Sequence, residues 1–371
     1  MRDPRDPAPG RRPTPSPGPA PGGQRQRGRG AATGEALLRV QQRVTGRDLT
    51  LLGWLADHGV LTTDQIAHAL FPSLDFAQRR LLTLVRAGLV DRFRPQRPDG
   101  GSYPFHYVLA QLGLEVVAAQ RDEEELPRRE QARRRRWWLT NRANLPHLLA
   151  VNQFFTDLAG HARTHPGTTL ERWWPSATCQ RQGAFLDLDD DHGRLFFAAV
   201  AADGHGIWTS THPDPPHPPP HRPPDPRPDG QGEGWDGGVV ARVPFFVEVD
   251  LGTEDLPRLV GKIDAYRTWS LAAGRAWPVL FWLTSTVREA HLHQRLRQQR
   301  SVPVPVATAV HDPDRPGSVG PADPVWRLHQ PDHWLEHPSL AGRRALADLA
   351  ATVTAIDPTT GKRLRDRPRS W

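Results

Sequence analysis

Between Val239 and Leu251 the chain reads Val-Val-Ala-Arg-Val-Pro-Phe-Phe-Val-Glu-Val-Asp-Leu, and the five residues before Glu248 carry no charge. A run this apolar is a strand covered on both faces, the habit of a sheet flanked by helices. The segments downstream agree: helix Asp255–Leu271, strand Val279–Leu283, helix Val287–Gln298 and strand Val302–Thr308. An amphipathic helix, Asn144–His161, and strand-like pieces at Leu170–Trp173 and Leu195–Ala201 come before it. Strand and helix in alternation predict an α/β sandwich with a partly parallel sheet.

The N-terminal half has a different grammar. Leu49, Leu51, Leu52, Leu55 and Ala56 recur at helical spacing, Thr63 is suited to cap a second helix through Leu70, and Pro72-Ser73 breaks the chain. A third helix, Asp75–Ala87, ends at Gly88, which suits a left-handed cap. Strands Leu89–Phe93 and Tyr103–Leu109 then flank the loop Pro95–Ser102. Helix, helix, helix, strand, loop, strand is the order of a winged helix-turn-helix, with Arg97–Gly101 as the wing. On this reading Gln78, Arg79 and Arg80 face a DNA groove, while Arg92, Arg94 and Arg97 reach flanking phosphates. The same fold also serves protein contacts.

The organisation expected is a basic arm without structure at 1–36, a winged helix at 37–118 and a charged linker at 119–141. An α/β domain at 142–310 and a partly loose extension at 311–371 complete it. Inside the fourth segment, 185–228 reads as a disordered insertion, because ten prolines fall in the 17 residues His212–Pro228. The linker contains Arg133–Arg136, a phosphate clamp or a solvated charge run. Trp137-Trp138 and Trp173-Trp174 could stack on bases, or belong to core and interface. The whole is α/β in its second half and α+β overall.

Composition narrows the chemistry. With 48 Lys+Arg against 41 Asp+Glu the net charge is +7, so an anionic partner is favoured. A lone Cys179 excludes a disulfide framework and a cysteine-based zinc site. The most apolar window, Trp269–Val287, is broken by Arg275 and Pro278, so the expectation is a soluble, cytoplasmic protein without a membrane span. No phosphate-binding glycine loop, dinucleotide fingerprint or His-Glu-x-x-His occurs. His291 and His293 are not a relaxase-type pair, since i and i+2 on a helix diverge.

The candidate site is Glu248-Val249-Asp250. Residues i and i+2 of a strand share a face, so two carboxylates stand side by side at the end of an apolar strand. They become tolerable if Mg²⁺ or a fixed cation neutralises them. Of the 48 basic residues only Lys262 and Lys362 are lysines, and Lys262 lies on the following helix, in reach of the strand end. There it could orient a nucleophile and offset charge on a phosphate. Asp229, Glu248 and Lys262 form a loose PD-(D/E)xK pattern in which the lysine has moved to the next helix, and Tyr266, one turn on, could line the same cleft. The competing account is acids at a strand end paired with nearby arginines.

Several blocks resemble the actinobacterial replication-relaxation family: Leu84–Val90, Tyr107–Leu109, Trp173-Trp174, Arg227–Gly230, Phe245–Asp250, Gly252–Glu254, then Lys262 and Tyr266. The resemblance covers about residues 45–310. It implies a protein of plasmids or integrated mobile elements that acts in replication or DNA relaxation. The family is similar to a class of conjugative relaxases with a restriction-endonuclease-like domain behind a winged helix. Carried over, Asp229, Glu248 and Asp250 would hold Mg²⁺, Lys262 would be the catalytic lysine, and His147 and Asn152 would face the same site. The partner implied is double-stranded DNA at a plasmid origin, and the sequence allows a homodimer. Two readings stay open: a metal-dependent nickase, or a non-catalytic replication or transcription regulator whose second half serves dimerisation or partner binding.

Overall fold

The computed structural model describes residues 43–97, 100–124, 127–128, 130–185, 199–212, 239–299, 302, 304–311, 319–329 and 342–355. Gly46–Trp371 forms one compact unit. It begins with helix α1 (Gly46–His58), which buries Leu51, Leu52 and Leu55, then a two-residue strand β1 (Leu61–Thr62), α2 (Thr63–Leu70) and α3 (Leu74–Arg86). Thr62, not Thr63, caps α2. Its hydroxyl accepts from the Gln65 amide while the Gln65 side chain accepts from Thr62, a reciprocal pair that fixes the start one residue early. Ser73 caps α3, and beyond that helix Gly88 takes the left-handed conformation at φ 72°.

Strands β2 (Val90–Phe93) and β3 (His106–Leu109) pair antiparallel, Val90 opposite Leu109, and β1 adds to the free side of β3. Helix α4 (Gln111–Gln120) follows. The stretch expected as a linker contains a helix, α5 (Gln131–Thr140). It forms because its arginines have partners: Arg135 donates to the Leu55 and Ala56 carbonyls, and Arg136 pairs with Asp91.

Helix α6 (Leu145–Thr164) leads into a six-stranded mixed sheet. Strands β4 (Thr168–Pro175), β5 (Gly204–His212) and β6 (Val239–Asp250) run antiparallel to one another. After α7 (Ser176–Cys179) and β5–β6 come α8 (Leu256–Ala273), β7 (Arg275–Ala276), β8 (Val279–Leu283), α9 (Thr286–Gln298) and β9 (Val306–Val310). Strands β6, β8 and β9 are parallel, and β10 (Arg327–His329) pairs antiparallel with β9 at the edge. A short strand β11 (Thr354–Ala355) pairs with β7.

Two sequence expectations need correction. Leu195–Ala201 contains no strand among its described residues, 199–201; the strand starts at Gly204. Gly204–His212 therefore lies inside the span read as an insertion, yet it is the second strand of the sheet. Glycines make it possible: a Cβ at Gly206 would collide with Phe245 and Phe155. Most of the proline-rich segment, with Asp229, lies outside the described residues. No helix among the described residues is long and apolar enough to cross a membrane.

The core between α6 and the sheet is aromatic. Phe154 and Phe155 meet Phe245, Trp173 and Trp282. Trp174, Phe185, Phe246 and Trp277 surround a fully buried His205, which burial holds neutral by lowering its pKa to about 3.

Candidate functional site

The strand pairing assembles the site. Gly204 lies opposite Val247, so Asp203, the residue just before β5, stands beside Glu248 on β6. The Val249 amide donates to Asp203 Oδ2 at 2.9 Å. His147 Nε2, from the first turn of α6, lies 3.1 Å from the same oxygen and 3.0 Å from the Val249 carbonyl. The hydrogen bond to Asp203 outweighs burial and raises the pKa of His147.

Glu248 is 1 % exposed. Lys262 Nζ, in the second turn of α8, donates to Glu248 Oε2 at 2.9 Å and also reaches Glu254 Oε2 at 2.9 Å. The buried Tyr266 hydroxyl, one turn further, donates to Glu248 Oε1. Burial first, and then the neighbouring Asp203, push the Glu248 carboxyl up to about 7 despite Lys262 and Tyr266. Burial pulls the Lys262 ammonium down, but Glu248 and Glu254 more than offset it and hold it above its ordinary range.

Asp250 shares the face but not the partners. Arg288, on α9, grips both of its carboxylate oxygens, and the Gly252 amide donates to Oδ1 at 2.9 Å. The two neighbouring acids thus have one cation each. Both the amine and the arginine accounts of the acid pair are present, on different residues.

Not every expected side chain joins this cluster. Asn152 is buried elsewhere, its amide donating to the Val60 carbonyl at 2.7 Å, which ties α6 to β1 and not to the acids. Asp229 lies outside the described residues. Asp203, Glu254 and Arg288 join the acids without having been singled out by sequence pattern. Asp203 is a lone acid after Ala201-Ala202 and directly before an alternating strand. That context marks it once residues 185–228 are not taken whole as an insertion. Arg288 shares its helix with the more conspicuous His291 and His293.

Among the residues expected to meet DNA, Gln78 and Arg79 are exposed on α3, Arg79 paired with Asp75. Arg80 is not groove-facing: it turns inward and forms a two-pronged ion pair with the buried Asp48. Arg92 and Arg94 lie 4.0 Å and 4.9 Å above the Phe105 ring, and Arg97 lies 5.6 Å above Tyr103. Stacking of this kind holds guanidinium groups out along β2 and the loop after it.

Among the described residues no three His, Cys, Asp or Glu side chains group closely enough to cage a metal. Asp203 and Glu248 nevertheless offer hard oxygen donors of the kind Mg²⁺ takes one or two at a time, with water and phosphate completing its shell. Each Glu248 oxygen accepts one hydrogen bond and keeps further acceptor capacity. The donor chemistry fits.

Residues 52–280 match the family described as replication-relaxation, well over half of the 371-residue chain. No curated protein and no solved structure matches the chain.

Proposed function

This chain belongs to the replication-relaxation family, and from that premise we propose that it binds duplex DNA on a plasmid or integrated mobile element and opens one strand at the Asp203–Glu248–Lys262 cluster. The observation that carries the reading is a carboxyl buried beside a second acid, held at about 7 and bridged to an amine on the next helix. Burying such a group against a like charge disfavours folding, and strained titrations of this kind concentrate at sites of chemistry.

Asp203 and Glu248 would hold Mg²⁺, which when bound would supply Lewis-acid polarisation to a phosphodiester. Lys262, kept protonated, sets a positive charge against the phosphate as negative charge builds there. His147, its proton held by Asp203, can give up or retain that proton at Nε2. Tyr266 positions Glu248 through its hydroxyl; fully buried, it is not the attacking group. DNA recognition falls to the N-terminal half, read as a winged helix from its three helices and the β2–β3 hairpin. Gln78 and Arg79 meet the groove, and Arg92, Arg94 and Arg97 meet phosphates.

The test is supercoiled plasmid carrying the cognate origin, incubated with protein and Mg²⁺. Open circles are expected from wild type, and Glu248→Ala should bind the DNA but not nick it. One observation favours the second reading, a non-catalytic regulator: every oxygen of Glu248 and Asp250 already accepts from a protein donor. Wild type that binds the origin tightly and never nicks it establishes that reading instead.

A further inference from the structure

Helix α5 carries two large aromatic side chains that the fold leaves uncovered. Trp137 is 69 % exposed and Trp138 53 %. The other face of the helix is fully engaged. Ala132 and Leu139 are buried, Leu139 within a cluster with Val60 and Val108, and Arg135 and Arg136 are turned onto the Leu55 and Ala56 carbonyls and Asp91. The tryptophans are therefore outside by the register of the helix, not for want of order around them.

Their outward neighbours are basic. Arg133 and Arg134 are exposed and precede Trp137 and Trp138 by four residues, the spacing that stacks side chains one above the other on a helix. Arg133 pairs with Glu130 at 3.1 Å, and Arg142 lies 4.7 Å above the Trp138 ring. Two exposed rings, each with an arginine a turn away, alternate an aromatic face with a positive charge. Such alternation complements a chain that alternates base and phosphate.

The partner can be narrowed further. In an intact duplex each base face is covered by the next pair, so an indole has nothing to stack on except at an end. An unpaired strand exposes every base. The helix that carries the patch shares an apolar cluster with the helix that carries His147: Leu145, Leu148 and Leu149 at the start of α6 pack on the cluster that holds Leu139. His147, in the same turn, contacts Asp203.

We propose that Trp137 and Trp138, with Arg133, Arg134 and Arg142, form a platform that stacks the bases of single-stranded DNA next to the Asp203–Glu248–Lys262 site. The platform would hold a strand that has come unpaired at the point where the chain acts. This rests on the DNA-binding reading above, and its substrate is one that the Gln78–Arg79 surface does not select.

The experiment measures fluorescence anisotropy of a short labelled oligothymidylate and of a duplex of equal length, each titrated with full-length protein. Trp137→Ala/Trp138→Ala should weaken oligothymidylate binding by roughly 5- to 150-fold for each ring that stacks, while duplex affinity stays within about twofold. Trp137→Phe/Trp138→Phe should restore most of the loss, because a phenyl ring still stacks. Unchanged oligothymidylate affinity in the double alanine variant overturns the proposal, and so does an equal loss on both DNAs. Sedimentation on the same proteins adds one more refuting outcome: a wild-type dimer that the alanine pair converts to monomer, with oligothymidylate binding intact, would make the patch a contact between copies. Wild type that binds neither DNA would instead sink the DNA-binding reading itself.

Discussion

Replacing Glu248 with Gln should make the protein more stable while abolishing strand opening, and the gain should depend on pH in a calculable way. The Glu248 carboxyl ionises near 4.5 when solvated and at about 7 in the fold. Because its folded pKa is raised, its contribution to stability is complete below about 4.5 and is lost as pH rises through about 7. Two and a half units at about 1.4 kcal/mol each amount to about 3 kcal/mol once the group is fully ionised. Gln mimics the neutral acid. Its oxygen can accept from Lys262, and its amide can donate to the Tyr266 hydroxyl, which both gives and takes hydrogen bonds. Lys262 also keeps Glu254, 2.9 Å away. The variant should therefore match wild type near pH 4.5 and exceed it by up to about 3 kcal/mol at about pH 8. Urea unfolding of both proteins at the two pH values measures this. Asp157, which burial also raises to about 7, is common to both and cancels in the difference. A difference that does not change with pH, or a variant less stable than wild type at the higher pH, would refute the account of Glu248 as a strained acid.

Two further substitutions separate scaffold from surface. Arg80→Ala leaves the buried Asp48 without its main cation and should lower unfolding stability by about 2–3 kcal/mol, discounted because the arginine is partly exposed. Its exposed neighbour should behave oppositely: Arg79→Ala should shift stability by no more than about 0.5 kcal/mol and reduce the salt dependence of duplex binding. Arg288→Ala strands Asp250 in the interior and should cost about 3 kcal/mol or more by urea midpoint, with partial recovery in Asp250→Asn/Arg288→Ala.

What the sequence made legible was what periodicity and punctuation encode. Three helices, the two strands after them, and β6 with its terminal acids lie close to where their patterns put them. The rarity of lysine picked out Lys262, which lies 2.9 Å from Glu248. What escaped was pairing across long sequence separations. Asp203 and Glu248 meet only because β5 pairs with β6, and the strand between the proline-rich segment and Ala202 is glycine-rich at its start, so it reads as irregular chain. Arg80 sits on the exposed side of α3 by its immediate neighbours, but Asp48, 32 residues earlier, draws it inward. Only the family resemblance places Asn152 at the acids; five residues after His147 it lies on a different side of α6, where its amide serves the Val60 carbonyl.

Helix α6 has no face to spare. One side receives the Gln65 amide at the Leu149 carbonyl and lays Gly160 against the His68 ring; the other carries Phe154 and Phe155 into the sheet. The helix is thus a party wall. Scission of the chain near Asn141 would unroof the rooms on both sides, so neither half is a free-standing building.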